Sequence, residues 1–163
     1  MSPTLITRAA TVADIPTIVR QRRRMFESMG LLDVARNDKA DALVRRYLEA
    51  AIPQGEYRGW LVEVPGGQAI AGIGLIVRQH PPSSRNLSGR SSYLLSLYVE
   101  PEHRRHGIAR HLVRAMIDWS RAQGITEVAL HASEQGRRLY ESLGFRQTNE
   151  MRLFLDQTAI ADV

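Results

Sequence analysis

The run Ser92–Val99, which reads Ser-Tyr-Leu-Leu-Ser-Leu-Tyr-Val, is the sequence feature that most constrains the fold of this chain. Apolar side chains occur at both alternating sets of positions, so as a strand this run must be covered by other elements on both faces. A helical pattern follows at about 108–123, with one apolar stripe formed by Ile108, Leu112, Ala115, Met116 and Trp119. Together the two segments predict an α/β fold with a central strand.

The rest of the chain also alternates between strand and helix patterns. Further strands are predicted at about 5–8, 58–64, 69–79 and 127–131, and further helices at about 12–29, 38–51 and 134–143. A closing antiparallel hairpin is predicted from 144–146 and 150–155. The predicted order is β-α-α-β-β-β-α-β-α-β-β, which makes a mixed central sheet of about seven strands with helices on both faces.

Turns and side-chain directions follow from the same patterns. The second helix is expected to turn Leu43, Val44, Tyr47 and Leu48 inward. A hairpin turn is predicted at Pro65–Gln68, and a loop at Pro81–Arg90 that is either a solvated connector or a mobile flap. Trp60 and Trp119 are expected in the core.

Length and composition favour one globular domain. A chain of 163 residues buries roughly two thirds of its unfolded surface, so we expect a single domain over residues 1–163. The chain has no cysteine, which excludes disulfides, thiolate metal ligands and a cysteine acyl-enzyme. No apolar run approaches the roughly 20 residues of a membrane span, so we expect a cytoplasmic protein that does not contact a membrane.

The charge balance favours an anionic ligand. The chain has 22 basic and 17 acidic residues, a net charge of +5, and Lys39 is its only lysine. Arginine offers a fixed fork of donors that suits phosphates better than lysine does. Nucleic acid is an alternative polyanion, but no recognition motif for it is present, so no nucleic-acid partner is expected.

The most informative motif lies between the central strand and the next helix, at Val99–Ala109. Pro101 suits a sharp exit from the strand, and Gly107 allows a close approach to the backbone where the helix begins. A strand-to-helix turn presents free N–H groups and the positive end of the helix dipole, which together bind phosphate. Arg104 and Arg105 add positive charge to this turn.

These residues resemble a known family. The pattern Arg104-x-x-Gly107-x-Ala109, after Leu97-Tyr98-Val99-x-Pro101, resembles the acetyl-CoA signature of the GCN5-related N-acetyltransferases, the GNAT family. The later Leu139-Tyr140-x-x-Leu143-Gly144-Phe145 resembles that family's other recurrent segment. The resemblance extends over nearly the whole chain, and it implies the GNAT fold.

The resemblance implies that acetyl-CoA is the co-substrate and that it lies in a split between the central strand and the strand at 127–131. The backbone of Leu97, Tyr98 and Val99 would then hold the pantetheine. The pyrophosphate would bind at the turn formed by Arg104, Arg105, His106, Gly107, Ile108 and Ala109. Ser133 occupies the position where the family often has an asparagine that contacts the cofactor.

Two catalytic residues are expected. Tyr140 matches the tyrosine that in many family members donates a proton to the departing thiolate; the alternative is a ring that only packs in the core. Glu27, near the end of the first helix, is the leading substrate-side carboxylate, because that region borders the acceptor cleft in the family. Glu100 and His131 are weaker candidates, and each of these groups could instead be a solvated surface residue.

Other side chains are compatible with more than one role. His103 and His106 lie in a turn rich in arginine with no third ligand, so no metal site is expected. The run Arg22-Arg23-Arg24 points in three directions on a helix, so one arginine could reach an acidic group of the substrate or a phosphate of coenzyme A.

The sequence therefore predicts an enzyme that moves an acetyl group from acetyl-CoA directly to an amine acceptor in a ternary complex. One alternative is a coenzyme A-binding sensor or interaction module with the same fold and no turnover. The acceptor amine is left open. A homodimer through an edge at Met151–Leu155 is a further expectation.

Overall fold

One mixed sheet of five strands forms the centre of the chain in a computed structural model that describes residues 5–31 and 33–155. The strands are β1 (Ile6–Ala9), β2 (Tyr57–Glu63), β3 (Ala69–Gln79), β4 (Arg90–Val99) and β5 (Val128–Ala129). They lie side by side in the order β1-β2-β3-β4-β5. The first four are antiparallel neighbours, and β5 is parallel to β4.

Four helices accompany the sheet. They are α1 (Ile15–Ser28), α2 (Val34–Gln54), α3 (Ile108–Ala122) and α4 (Glu134–Ser142). Of the helices in the described part of the chain, none is both long and apolar enough to cross a membrane.

The helices pack against the sheet in two hydrophobic clusters. Ile73 and Leu75 of β3 belong to a cluster that includes the buried side of α3, whereas Ile76 packs against the cluster built on α1 and α2. Neighbouring residues of a strand point to opposite faces, so the two clusters lie on opposite sides of the sheet. This arrangement confirms the α/β architecture with helices on both faces.

The first nine elements occur in the predicted order, and the bounds of β3 agree with the sequence pattern. The second helix begins earlier than predicted because the side chain of Asp33 accepts a hydrogen bond from the Arg36 N–H and caps its first turn. It ends where Gly55 adopts a left-handed conformation with φ of 73°.

The prediction of about seven strands is wrong for the described residues, since the closing hairpin at 144–155 does not form there. Met151, Leu153 and Leu155 are 94%, 82% and 91% exposed. A further strand would have to pair with the free edge of β5, which is only two residues long. Such a short edge offers too few ladder hydrogen bonds to hold a hairpin.

The expected inward face of α2 is also partly wrong. Leu43 and Tyr47 are 56% and 45% exposed, whereas Val44 is half-buried and Leu48 is buried. The contacting stripe of α2 runs through Val44, Leu48 and Ala51, at the i, i+4, i+7 spacing of one helix face. Leu43 and Tyr47 lie beside that stripe and face outward.

The loop at 80–90 is tied together by Asn86, which is only 3% exposed. The Asn86 side-chain amide donates to the Arg90 carbonyl at 2.9 Å, and its oxygen accepts from the Ser88 hydroxyl at 2.7 Å. Ser83 and Asn86 also form an isolated bridge across the loop. These bonds fit a structured connector better than a mobile flap.

Candidate active site

A gap opens between β4 and β5. The two strands pair at only two positions, Ser92 with Val128 and Tyr93 with Ala129. Beyond Tyr93, the remaining residues of β4 have no strand beside them on that edge among the described residues. Unpaired backbone groups along an extended strand can bind an extended ligand by adding it to the sheet edge.

A β-bulge lies in β4 next to this gap. Gly72 pairs with Tyr98 and Gly74 with Leu95, so β4 contains one more residue than β3 between these positions. Ser96, inside the bulge, has a φ of 52°, which is uncommon for a residue other than glycine. A bulge bends its strand, and it is placed here just past the last pair with β5. No glycine stands at this position, so the residue pattern carries no signal for the bulge.

The start of α3 lies open beyond the end of β4. Gly107 is the N-cap residue with a φ of 79°, and no side chain caps the helix. A Cβ added at Gly107 would meet no atom within 4 Å, so nothing covers the N-terminal N–H groups from that side. The uncapped N–H groups and the helix dipole make this turn able to bind an anion.

Basic side chains surround this turn. Arg104, Arg105 and His106 are all exposed. The Arg104 Nε donates to the Val99 carbonyl at 2.9 Å, and its guanidinium carbon lies 5.8 Å from the centre of the Tyr98 ring. Arg104 therefore lies against the end of β4, and its terminal N–H groups have no hydrogen-bond partner among the described residues.

The other residues expected around the cofactor have structural partners. Ile108 is 6% exposed and anchors the start of α3 in the core, while Ala109 is half-buried. Ser133 is the N-cap of α4, because its hydroxyl oxygen accepts a hydrogen bond from the Gly136 N–H at 3.2 Å. The Ser133 hydroxyl proton is still available for donation to a ligand.

Tyr140 is buried, with 8% of its surface exposed. Its ring packs edge-on against Phe145 at 5.7 Å and belongs to the same cluster against which Leu97 and Val99 pack. Its hydroxyl has no hydrogen-bond partner among the described residues. Burial raises the pKa of Tyr140 to about 12, so the phenol holds its proton at neutral pH and can donate it.

Tyr140 also lines a cavity of about 560 Å³ beside β5. Both residues of β5 line this cavity, as do Phe145 and Phe154. His131 lines the same cavity and is exposed. This volume is within the range of small-molecule sites.

The two glutamates proposed near the acceptor differ in their surroundings. Glu100 is 5% exposed; Arg24 donates to both of its oxygens at 2.7 and 2.8 Å, and the Tyr98 hydroxyl donates at 3.0 Å. Glu27 lies one turn beyond Arg24 on α1, is exposed, and has no hydrogen bond or ion pair with the described residues. Glu100 is thus engaged in a structural pair, whereas Glu27 is free to act on a substrate.

The three consecutive arginines of α1 do point in three directions. Arg23 pairs with Asp38 and Asp41 of α2, and Arg24 pairs with Glu100 at the end of β4. The Arg22 Nη1 donates to the Ser96 hydroxyl at 3.3 Å. One arginine therefore reaches the bulge beside the gap.

Histidines of the turn do not converge on a metal. The His106 ring lies 3.3 Å from the His103 carbonyl oxygen through its Nδ1. Over the ranges 5–31 and 33–155, no three His, Cys, Asp or Glu side chains form a group that could hold a metal ion.

Comparisons with known proteins point to one family. The sequence model described as the acetyltransferase (GNAT) family matches residues 22–145. A crystal structure of a GCN5-related N-acetyltransferase from Ralstonia eutropha JMP134 is 31% identical, with a TM-score of 0.87 over 93% of this chain and 99% of that one. A crystal structure described as a predicted acetyltransferase with acetyl-CoA, from Clostridium acetobutylicum, is 27% identical, with a TM-score of 0.84 over 96% and 98% of the two chains.

Curated relatives agree on the same group of proteins. N-acetyltransferase 8F1 of Rattus norvegicus is 35% identical over 118 residues, which cover 71% of this chain and 48% of that protein. The chain spans less than half the length of the first curated relatives it matches.

Proposed function

Because this chain belongs to the acetyltransferase (GNAT) family, we propose that it transfers an acetyl group from acetyl-CoA to an amine. The observation that carries the proposal is the gap beside β4, which is closed at one end by the pairing of Tyr93 with Ala129. At its other end β4 leads to the uncapped start of α3. A long ligand with an extended arm and a pyrophosphate fits this combination of a strand edge and an anion site.

In this proposal the pantetheine arm of acetyl-CoA lies along the backbone of Leu97, Tyr98 and Val99. The pyrophosphate binds the N–H groups at Gly107, Ile108 and Ala109, with Arg104, Arg105 and His106 supplying positive charge or donors. Ser133 contributes a hydroxyl. The related structure from Clostridium acetobutylicum, which contains acetyl-CoA, supports this choice of co-substrate.

The acetyl transfer is direct. The lone pair of a neutral amine attacks the thioester carbonyl carbon and forms the new C–N bond, and the C–S bond then breaks. The departing thiolate takes the proton of the Tyr140 hydroxyl, and the proton lost by the amine nitrogen restores the phenol through solvent. No acyl-enzyme is needed, in keeping with the absence of cysteine.

Glu27 is the proposed acceptor of the proton that the ammonium form must lose before attack. It is exposed and unpaired among the described residues, whereas Glu100 already accepts hydrogen bonds from Arg24 and Tyr98. An exposed carboxylate can remove this proton directly or through one water molecule.

A homodimer is part of the proposal. Met151, Leu153 and Leu155 alternate along an exposed segment, and a second copy of the chain would cover their apolar side chains. We also keep the cytoplasm as the proposed location.

The test compares wild type with Tyr140→Phe in the release of coenzyme A from acetyl-CoA across a panel of amines. The variant should keep its affinity for acetyl-CoA and lose about 100- to 10,000-fold in kcat, the usual contribution of a positioned acid. If the protein binds acetyl-CoA but none of the amines in a broad panel causes release of coenzyme A, the protein would instead be a sensor. An unchanged kcat in the variant would remove Tyr140 from the mechanism.

A further inference from the structure

Arg22 is a cation of α1 that forms no ion pair among the described residues, and Asp41, whose charge acts on it, is already paired with Arg23. Its side chain is partly buried, and its polar contact there is the 3.3 Å bond from Nη1 to the Ser96 hydroxyl. Its guanidinium carbon lies 4.7 Å from the centre of the Phe26 ring. Burial lowers the pKa of Arg22, because a guanidinium withdrawn from water loses hydration. An anion bound beside it would stabilise the charged guanidinium further than Asp41 alone does.

The neighbouring arginines of α1 are either paired with a carboxylate or exposed to water. Arg23 and Arg24 each pair with carboxylates, the first with Asp41 at 2.9 Å and the second with Glu100 at 2.7 Å. Arg20, two residues before Arg22, is exposed to water. Of the arginines of α1, Arg22 is therefore the one that is withdrawn from water and still has donors to offer.

Further donors without partners lie next to Ser96. The Tyr57 hydroxyl has no hydrogen-bond partner among the described residues, and burial raises the pKa of Tyr57, so this group stays neutral. The side-chain nitrogen of Gln21 is buried without a partner. Gln21, Tyr57 and Ser96 all line a cavity of about 10 Å³, which holds one water-sized group such as a water or a single oxygen of a ligand.

The position of this donor cluster relates it to the gap beside β4. Ser96 lies three residues beyond Tyr93, the last position at which β4 pairs with β5. At a rise of about 3.3 Å per residue, Ser96 itself lies roughly 10 Å along β4 from the closed end of the gap. A group that reacts in the gap could thus belong to the same small molecule as the anion.

We propose that Arg22 binds a carboxylate of the acceptor, so that the preferred acceptors are amines with a carboxylate close to the nucleophilic nitrogen, as in an α-amino acid. The assignment of this anion to the acceptor rests on the proposed transferase function. One guanidinium with neutral donors matches one negative charge, which favours a carboxylate over a doubly charged phosphate. Acceptors with several ammonium groups would instead place a positive charge against Arg22.

The test uses two matched pairs of acceptors, phenylalanine with phenethylamine and leucine with isopentylamine. For wild type, kcat/KM for coenzyme A release should be about 10- to 150-fold higher with the amino acid, the range of a hydrogen bond to a charged group. Arg22→Gln should lose this preference, so that kcat/KM for each amino acid falls to the level of its plain amine. Arg22→Lys should keep part of the preference, and Arg20→Gln on the same helix should keep all of it.

A second readout does not depend on turnover. Calorimetry with N-acetylphenylalanine and coenzyme A should show binding to wild type that falls by a similar factor in Arg22→Gln. If no amine is acetylated but this Arg22-dependent binding persists, the transferase function fails and the carboxylate site stands. The proposal would be overturned if wild type had equal kcat/KM for both members of each pair, or if Arg22→Gln lowered kcat/KM equally for both. If there is no turnover, it would be overturned if N-acetylphenylalanine did not bind, or if its binding did not depend on Arg22.

Discussion

Replacement of Gly107 by glutamate should abolish acetyl-CoA binding through both charge and backbone effects. The new side chain would extend into the open space before α3, where a Cβ meets no atom within 4 Å, and its carboxylate would repel a pyrophosphate at the N–H groups. The φ of 79° at this position adds strain for any residue other than glycine, about 1–3 kcal/mol. The variant should therefore be somewhat less stable and should not respond to acetyl-CoA.

The magnitude for wild type follows from linkage. A ligand at 100 times its Kd stabilises a protein by about 2.7 kcal/mol. For a domain of this size, each kcal/mol corresponds to a rise in Tm of roughly 2–4 °C, so the expected rise is roughly 5–11 °C. A thermal-shift titration with acetyl-CoA measures it directly.

Gly124→Glu is the matched control. Gly124 follows the other end of α3, has a φ of 68°, and likewise has no atom within 4 Å of an added Cβ. Both variants should lose a similar amount of intrinsic stability, yet only Gly107→Glu should lose the rise with acetyl-CoA. A full rise in Gly107→Glu would refute the placement of the pyrophosphate at this turn.

Three further perturbations test the core, an ion pair and the proton donor. Leu112→Ala should reduce the free energy of unfolding by about 2–5 kcal/mol in urea titrations, because Leu112 is a fully buried residue of α3; a loss below 1 kcal/mol would contradict this packing. The pKa of Asp14 is lowered from 3.8 to about 2, chiefly by its hydrogen bonds from Arg8. The ionised Asp14 carboxylate stabilises the fold above pH 4, and this contribution is lost as the pH falls toward 2. Asp14→Asn should therefore flatten the acid side of the plot of unfolding free energy against pH. An unchanged plot would argue against the pair of Arg8 and Asp14. With the pKa of Tyr140 at about 12, kcat should show no loss from its ionisation up to pH 10, and a Tyr140-dependent fall near pH 8 would speak against a buried phenol.

The central elements of the fold could be predicted because their signals are local. The apolar run at Ser92–Val99 and the apolar stripe on α3 predict which side chains are buried. Gly107 indicates a backbone conformation that other residues avoid. For the same reason the order of the first nine elements followed from periodicity and turn residues.

Features that depend on pairing between distant segments could not be read in this way. The bulge at Ser96 depends on register with β3, and a serine gives no sign of a positive φ. The predicted hairpin at 144–155 has a suitable apolar alternation, but β5 is too short to hold it. Periodicity predicts which face of a segment is apolar, and it does not show whether a partner strand is available.

The candidate site was predictable to the extent that it is a motif. The anion-binding turn from Arg104 to Ala109 could be proposed from its residues, and Tyr140 from the resemblance to the GNAT family. The engagement of Glu100 by Arg24 and the contact of Arg22 with Ser96 join residues more than 70 positions apart. Sequence shows that arginines are present, and only the packing of α1 against α2 and β4 decides which of them meets a carboxylate.

Mass spectrometry of the reaction products tests the central claim most directly. The purified protein would be incubated with acetyl-CoA whose acetyl group is isotopically labelled and with a mixture of amines that includes the amino acids above. We predict a labelled N-acetylated amine in amounts equal to the coenzyme A released, with no label on the protein when the amines are left out. Release of coenzyme A without an acetylated amine, or acetyl-CoA binding with no release at all, would contradict the account.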